Sequence, residues 1–482
     1  MHLLTSYNIE SFLIRDPIYG FIEVPKIFKE IIDHKLFQRL RWISQLPLEQ
    51  LVYPSAQHSR FEHSLGVMHL SIISAISLIN NSWDAFEVAF PKDKNFKDLT
   101  DEEQKRNFIL AAGLAGLLHD IGHAPFSHTL EEACKYSKIN YKYDHEEVGY
   151  LLSEFLMTNS TMIDKIFVQK CLSVLNKKLK ILNKELTPIT MIIRKLIDGP
   201  IDVDKGDYII RDSYHCGTTY GVYDIQRLWR SIVINPNDYT IGVNKKGALE
   251  AWTLRFQRFK IYKNVYKHHT RNITDSMLVD IIANSINSLK GKSSKRNDLI
   301  PIWNSLEELK EDKNITRFIF WTDNSMLKVI SLDNNSINHR IESFLKRDIY
   351  KRGFELDLSS YPGALSLAQV NSNNELHISL MELKGKLKKD NNLYFDFLIE
   401  RDVVAPVFEK EVQLEIKVLD SENSFIPLAN YLHISVPQEY EEQIKPSSIF
   451  KLYVFIKKGN LDNLDLIKSE ITALLETYNH IS

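Results

Sequence analysis

The feature that most constrains this chain is an apolar run that ends in an adjacent histidine and aspartate. The run covers residues 108–118 and is long enough for a buried helix. His119 and Asp120 follow it directly, so an imidazole and a carboxylate would lie side by side at the end of a rigid element. Both groups are suitable ligands for a divalent ion. The sequence therefore predicts a metal site where this helix ends.

Two helix-breaking residues come next and predict a turn back toward the same site. Gly122 and Pro125 interrupt the helix, which would return His123 and His128 toward His119. Three histidines and an aspartate within ten residues are too dense for a solvated helix face. An ordinary hydrogen-bonded core histidine would explain one of these residues but not the whole cluster.

Two other segments offer ligands that would complete such a site. Residues 57–67 open another apolar helical stretch and contain His63. Residues 201–212 hold four carboxylates and two cations, and Asp204 is one of the carboxylates. A charge density of this kind inside an apolar frame is more often functional than structural.

The order of these residues resembles the HD-domain phosphohydrolases, in which a histidine, a His-Asp pair and a later aspartate recur. The likeness is closest to the deoxynucleoside triphosphate (dNTP) triphosphohydrolases, which include a mammalian enzyme with a sterile-alpha-motif domain and its bacterial relatives. The motifs that carry it are DPIYG from Asp16, FQRLR from Phe37, RFEHSLGV from Arg60, HDIGHAPFSH from His119 and DVDK from Asp202. The likeness is specific over residues 16–272, and no segment corresponds to a sterile-alpha-motif domain.

The resemblance implies hydrolysis at the α-phosphorus, which releases a deoxynucleoside and intact triphosphate. It implies that the metal ligands are His63, His119, Asp120 and Asp204. Such a set leaves open positions on Fe, Mn or Mg, with Zn or Ni as further options, and Mg would accompany the substrate phosphates. His128 would protonate the leaving 5′ oxygen, and the pocket would be completed by His123, Glu131 and His145. Glu131 stands where the family often has Asp.

The same resemblance implies a pocket for the phosphates and the sugar. A triphosphate needs several fixed cations, and Arg contacts phosphate through two hydrogen bonds at once. The residues that match phosphate-binding positions are Arg60, Lys205 and Arg258. Those that match positions around the sugar are Gln45, Leu46, Tyr208, Asp212, Tyr262 and Tyr266, of which Tyr266 would close the 2′ side. Positions 258, 262 and 266 share one helix face, so a buried aromatic stripe with a surface ion pair is the alternative.

A regulatory site is also implied by the resemblance. Asp33, Gln38 and Arg41 match positions that bind an activating nucleotide between subunits of the family, and a homotetramer is therefore expected. Phe12 stands where the mammalian enzyme has a basic residue. A helix cap at Asp33 and a surface ion pair at Arg41 would explain the same residues without a nucleotide.

Charge and cysteine usage predict the compartment and exclude some partners. A net charge of -2 argues against a dominant nucleic-acid surface. The three cysteines are far apart and form no CxxC, which is typical of reduced thiols in a cytoplasmic protein. No apolar run approaches the roughly 20 residues of a membrane span, and residues 1–15 lack the apolar segment of a signal peptide. We therefore expect a cytoplasmic protein with no membrane partner.

Periodicity predicts a mainly α fold. We expect an all-helical HD-domain core over residues 1–289 and a smaller mixed α/β C-terminal lobe over residues 290–482, with oligomerisation or regulation as its expected role. Helical spacing occurs in residues 27–46, 61–78, 163–197, 251–269, 341–352 and 464–478. Asp144 would cap one further helix. Strand-like stretches are 16–24, 393–397, 412–418 and 450–457. Residues 83–105 would form a surface excursion and residues 290–297 a linker.

Two other functions are compatible with these residues. Another HD-type reaction, on a nucleoside monophosphate or a cyclic nucleotide, would keep the metal ligands but would not need Arg60, Lys205 and Arg258 together. A catalytically idle nucleotide-sensing subunit would use the lobe after residue 299 to hold a partner. Because every expected ligand and proton-transfer residue is present, the sequence favours an enzyme.

Overall fold

Helices dominate the structure, which confirms the predicted mainly α fold. A computed structural model describes residues 3–137, 143–163, 171–175, 186–288, 300–301, 305–333, 335–369, 374–401, 416–420, 424–433 and 450–478. The α-helices in these ranges are α1 (Lys29–Asp33), α2 (Lys35–Gln38), α3 (Arg60–Asn81), α4 (Trp83–Ala89), α5 (Asp101–Leu118), α6 (His128–Tyr136), α7 (His145–Thr158), α8 (Pro188–Ile197), α9 (Val203–Cys216), α10 (Ile225–Trp229), α11 (Ala248–Ile261), α12 (His269–Ser288), α13 (Asp312–Ile319), α14 (Asp323–Asp333), α15 (Asn335–Leu345), α16 (Pro362–Gln369), α17 (Asn374–Asn391), α18 (Leu428–Tyr431) and α19 (Leu464–Thr477).

The strands form three small sheets in the described ranges. The strands are β1 (Ser11–Asp16), β2 (Gly20–Pro25), β3 (Ile232–Ile234), β4 (Ile241–Asn244), β5 (Lys351–Asp357), β6 (Phe395–Arg401), β7 (Lys417–Leu419), β8 (Phe425–Pro427) and β9 (Phe450–Ile456). β1 and β2 make an antiparallel hairpin, and β5, β9 and β6 make an antiparallel sheet in the order β5-β9-β6. The third sheet has the order β3-β4-β7-β8, and its parallel β4–β7 pair joins the two halves of the chain.

The long helices α3 and α5 form the centre of the core. They pack on each other along most of their length, and nearly all their side chains from Leu65 to Ile79 and from Phe108 to Leu118 are buried. α5 begins with a capping box, in which Thr100 and Glu103 bond each other's backbone N–H. The expectation that no apolar run approaches a membrane span is wrong for α3, which has the length and composition of one, yet 89% of its apolar stretch is buried inside the fold. The cytoplasmic location stays a prediction.

Several predicted elements are wrong in their boundaries. Residues 27–46 do not form one helix, because His34 is extended and its ring accepts the Leu36 N–H at 3.2 Å, which starts α2 anew. Residues 83–105 are not a surface excursion, since Phe86, Phe90 and Phe96 are buried and stacked. The predicted helix 341–352 ends at residue 345, and β5 begins at residue 351.

Other predicted elements are confirmed or fall partly outside the described residues. Asp144 caps α7 by accepting the N–H groups of Glu146 and Glu147 at 3.0 and 3.1 Å. The hairpin, β6, β9 and α19 lie where strands and a closing helix are predicted. Of the predicted helix 163–197, the structure describes residues 171–175 and α8 as helical, and Ile189 and Ile193 of α8 are buried. The predicted linker 290–297 lies outside the described residues.

Apolar side chains form two clusters in the described ranges. The larger one surrounds α3 and α5 and also takes in residues of the second half, such as Phe318 and Trp321. The smaller one packs α17 and α19 on the β5-β9-β6 sheet, from Leu358 to Tyr478. The division of the chain at residues 289 and 290 stays a prediction.

Candidate metal centre and active site

The four predicted metal ligands come together at the meeting of α3, α5 and α9. His63 lies in α3, His119 and Asp120 follow the last turn of α5, and Asp204 lies in the first turn of α9. The Asp204 Oδ1 atom lies 3.1 Å from His63 Nε2 and 3.6 Å from His119 Nε2. Asp120 also approaches both rings, with Oδ1 3.4 Å from His119 Nε2 and Oδ2 3.7 Å from His63 Nε2.

The hydrogen bonds of the two imidazoles fit a metal site. The Nδ1 atom of His63 lies 2.8 Å from Asp207 Oδ2, and that of His119 lies 2.8 Å from the Gly116 carbonyl oxygen. Both partners only accept, so Nδ1 carries the proton of each neutral ring and Nε2 keeps its lone pair. Both Nε2 atoms are buried and have no hydrogen-bond partner in the described part of the chain. An ion about 2.1 Å from its ligand atoms would meet them at these separations.

The charge around His63 leads to the same conclusion. Burial lowers the tendency of His63 to be charged, but Asp204 and Asp207 outweigh this effect and raise its pKa to about 10. The cluster therefore attracts positive charge, and a divalent cation would supply it. Two imidazoles and two carboxylates can hold a divalent ion such as Fe, Mn or Mg, with Zn or Ni as further options, so the donor set fits the group implied by the sequence.

A buried network that sequence reasoning missed orients His63. Asp207 is fully buried, and its carboxylate accepts two hydrogen bonds from Arg211 at 2.8 and 2.9 Å and one from Tyr19 OH at 2.8 Å. Arg211 also donates to Asp16 at 2.9 Å. A Cβ atom at Gly66 would lie 1.9 Å from Asp207 Oδ1, so only glycine fits there. The sequence did contain a signal for Asp207. It lies three residues after Asp204, a spacing that puts both carboxylates on one helix face.

We expect Asp207→Asn to weaken metal binding by about 10–100-fold, because such partners of a ligating histidine set its tautomer and basicity. The measurement is a metal titration followed by calorimetry or metal content. Asp224→Asn is the matched control, since the Asp224 carboxylate accepts a backbone N–H from Arg227 at the start of α10. Metal affinity equal to that of the wild type would remove Asp207 from this role.

The predicted proton-transfer residues also lie together, next to the metal ligands. Glu131 bridges two imidazoles, with Oε2 2.9 Å from His128 Nδ1 and Oε1 2.6 Å from His145 Nδ1. The His145 ring stacks on His123 at a centroid distance of 4.1 Å. α7 can approach this closely because residue 122 is glycine, where a Cβ atom would lie 2.0 Å from the His145 carbonyl oxygen.

The electrostatics divide these groups into different protonation states. Burial alone would raise the pKa of Glu131, but the hydrogen bonds from His128 and His145 hold it well below its usual range. Burial by itself would lower the pKa of His145, but the Glu131 carboxylate has the larger effect, and the net result is a raised pKa. Burial, the Arg60 charge and His145 together hold the pKa of His123 well below its usual value. The cluster therefore offers an anion, a readily protonated imidazole and a neutral imidazole within one pocket.

The predicted phosphate-binding cations occupy different environments. Arg60 donates to Ser127 Oγ at 3.0 Å and pairs with Asp120, so it lies at the metal ligands. Arg258 donates to Tyr208 OH at 3.1 Å. Lys205 pairs with Asp202, the N-cap residue of α9. Their phosphate contacts stay predictions.

Of the residues predicted around the sugar, Asp212 and Tyr266 are in direct contact. Its carboxylate accepts a hydrogen bond from Tyr266 OH and lies 2.8 Å from His58 Nε2. Tyr266 and Tyr262 belong to a π-helical turn, Tyr262–Tyr266, that replaces the end of the predicted helix 251–269. Sequence reasoning missed His58, which stacks on His215 at 4.3 Å.

The remaining predicted sugar positions lie in the segment before α3. The Gln45 N–H donates to the His58 carbonyl at 2.9 Å, and its Oε1 is buried with no hydrogen-bond partner in the described ranges. Leu46 is buried.

A cleft of about 170 Å³ opens beside the metal ligands, between His119, Asp204 and the α7 residue Tyr150.

The predicted regulatory residues lie on the surface segment before α3. Arg41 donates to Gln38 Oε1 at 2.8 Å, and its guanidinium lies 3.5 Å from the centroid of the Phe61 ring. Asp33 pairs with Lys29. Gln38 and Arg41 are therefore in contact, and Asp33 has a different partner.

Comparison with known proteins connects this site to one domain type. A model of the HD domain matches residues 60–166. The chain is 32% identical over 283 residues to the deoxynucleoside triphosphate triphosphohydrolase SAMHD1 homolog of Dictyostelium discoideum, covering 58% of this chain and 50% of that protein. It is 37% identical over 268 residues to an uncharacterized protein of Methanocaldococcus jannaschii, covering 55% and 48% of the two chains. The chain thus spans about half the length of the curated relatives it matches.

Solved structures share the fold. A phosphohydrolase from Bacteroides thetaiotaomicron superposes with a TM-score of 0.67 at 21% sequence identity, covering 93% of this chain and 100% of that one. A hypothetical protein from Aquifex aeolicus superposes with a TM-score of 0.59 at 22% identity, covering 96% and 100%. Identities this low indicate a common architecture.

Proposed function

We propose, from the premise that this chain belongs to the HD-domain dNTPase-like family, that it hydrolyses deoxynucleoside triphosphates to deoxynucleoside and inorganic triphosphate. The observation that carries the proposal is the pair of buried, unpartnered Nε2 atoms of His63 and His119 that face Asp204. A proton-transfer cluster adjoins them, which is the combination a hydrolase of phosphate esters needs.

The residues divide the reaction between them. A divalent ion held by His63, His119, Asp120 and Asp204 would supply Lewis-acid stabilisation of charge on a phosphoryl oxygen. Water attacks the α-phosphorus, loses a proton to solvent and displaces the 5′ oxygen. His128 donates a proton to that leaving oxygen, and Glu131 holds the His128 ring through Nδ1. His145, on the other oxygen of Glu131, stabilises the same carboxylate as an anion.

The pocket around Asp212 supports a deoxyribose substrate. Tyr266 OH donates to Asp212 Oδ2, and His58 Nε2 lies 2.8 Å from Oδ1, so a 3′-hydroxyl would donate to a remaining lone pair of this carboxylate. A ribose 2′-hydroxyl beside the Tyr266 ring would clash or stay unpaired, which disfavours it strongly. Mg would accompany the substrate phosphates. Lys205 would leave its ion pair with Asp202 and bind a phosphate oxygen when substrate binds.

The test is product analysis on the purified chain with Mn and a panel of dNTPs and NTPs. We expect deoxynucleoside and triphosphate in equal amounts from dNTPs and little product from NTPs. Asp204→Asn serves as the control for contaminating phosphatases. Release of orthophosphate or pyrophosphate would contradict the proposal, as would turnover of nucleoside monophosphates or cyclic nucleotides in place of dNTPs.

We further propose that a nucleotide bound at Gln38 and Arg41 favours an active homotetramer. The Arg41 guanidinium stacks on Phe61, two residues before the metal ligand His63, so a nucleotide bound at Arg41 can act on the start of α3.

We expect Arg41→Ala to lose both the stimulation of hydrolysis by a second nucleotide and the nucleotide-dependent increase in the mass of the assembly. Hydrolysis of one dNTP is measured with and without each second nucleotide, alongside light scattering. If no nucleotide stimulates the wild-type chain, or if the variant is stimulated equally, the regulatory site is excluded.

A further inference from the structure

The loop between α5 and α6 has a strained backbone where it leads into His128. Phe126 and Ser127 have φ angles of 56° and 49°, a region that residues with side chains rarely occupy. Such conformations persist only where the surrounding structure holds them. His128 begins α6 immediately after this pair, and the Ser127 hydroxyl accepts a hydrogen bond from Arg60 at 3.0 Å. The backbone at 126 and 127 therefore sets the position of groups on two sides of the site.

A carboxylate from the second half of the chain holds this loop. Asp323 is the first residue of α14, and its Oδ1 accepts the Phe126 N–H at 2.9 Å. Its Oδ2 accepts the Ser44 N–H, also at 2.9 Å. These donors are 197 and 279 residues distant in sequence. Because a charged acceptor binds an N–H more strongly than a neutral one, one side chain clamps two separate segments.

The second segment held by Asp323 also belongs to the site. Ser44 forms an isolated antiparallel bridge with Ser59, just before α3. The next residue, Gln45, donates its N–H to the His58 carbonyl at 2.9 Å. Asp323 thus fixes the backbone that carries a predicted sugar contact, as well as the backbone that leads to His128.

A buried arginine holds the opposite end of the loop and connects it to the turn that leads into Asp323. Buried Arg39 donates to the carbonyl oxygens of Ile121 and His123 at 3.0 and 2.8 Å. The same guanidinium donates to the Trp321 carbonyl at 3.3 Å. The loop is therefore bonded directly to Asp323 at Phe126 and is connected to Trp321 through Arg39 at residues 121–123. No predicted site residue lies in 321–323.

We propose that Asp323 is a positioning residue of the active site, which fixes the 121–127 loop and the segment around Ser44 so that His128 and Gln45 address one substrate. The effect on turnover rests on the proposed hydrolase function. The effect on the loop backbone does not, so the two can be tested separately.

The experiment compares Asp323→Ala, Asp323→Asn and Asp357→Ala in the full chain. Asparagine keeps the size of the side chain and one acceptor, whereas Asp357 is a matched control whose carboxylate accepts the Ser359 N–H at 2.8 Å beside β5. Hydrogen exchange is measured along the chain, together with metal content, kcat and KM for a dNTP. For Asp323→Ala we expect faster exchange confined to residues 44–45 and 121–128, unchanged metal content, and a fall in kcat of about 10²-fold, which a displacement of about 1 Å can cause. Asp323→Asn should recover part of the loss.

Two outcomes would overturn the proposal. One is exchange in these segments that matches the wild type or rises evenly along the chain. The other is local loosening with unchanged kcat, which would make Asp323 a structural residue only. If the wild-type chain hydrolyses no dNTP, the proposed function fails, and the exchange data still decide whether Asp323 holds the loop.

Discussion

His119→Ala is expected to lose its metal and all hydrolysis while the chain stays folded. The His119 ring is held by the Gly116 carbonyl at Nδ1 and presents an unpartnered Nε2 to Asp204 and Asp120. Removal of one of the two imidazoles leaves carboxylates and one histidine, which bind a borderline metal more weakly. Metal content by mass spectrometry, circular dichroism and dNTP hydrolysis provide the three readouts. A variant that keeps the wild-type metal content and turnover would exclude His119 as a ligand.

Asp120→Ala should lose the same functions but is the less clean test. Asp120 pairs with Arg60 and lies 3.3 Å from His123 Nε2, and both Asp120 and Arg60 are largely buried. Breaking a buried ion pair by removing one partner costs about 3–5 kcal/mol of folding free energy. Some loss of activity would then reflect unfolding. His34→Ala, which changes a histidine that caps α2, is the control for nonspecific effects.

His128→Ala is expected to keep metal and substrate binding but to hydrolyse about 10²–10⁴-fold more slowly, as is typical when a general acid or base is lost. The His128 side chain is 67% exposed, and its polar contact is with Glu131 and not with the metal ligands. Single-turnover rates and metal content separate the chemical step from metal loss. If the variant is stripped of metal, His128 is a ligand and the proton-transfer role is wrong.

The comparison of His128→Ala with His145→Ala tests how the Glu131 bridge is used. Both rings contact one carboxylate, so their losses should not add, and the double variant should be close to the slower single one. Independent, additive losses would indicate that the two histidines act in separate steps.

Features that depend on neighbours along the chain could be predicted without the structure. The adjacent His119 and Asp120 at the end of an apolar run, the cap at Asp144 and the strand alternation at the start of β6 are local, because hydrophobic period and capping chemistry act within a few residues. The mainly α fold follows from the same patterns. Local reasoning failed where a side chain competes with the helix, as at His34, or where the helix widens into the π turn before residue 267.

The metal ligands were predicted to meet, but the other contacts between distant residues appear only in the tertiary structure. The bond between His63 and Asp207 joins residues 144 positions apart, and the one between His58 and Asp212 joins residues 154 positions apart. Asp323 reaches Ser44 across 279 positions. No periodicity encodes such pairs, since each depends on how whole helices pack. A buried polar group must find a partner wherever packing brings one, so these positions become visible only once the chain is folded.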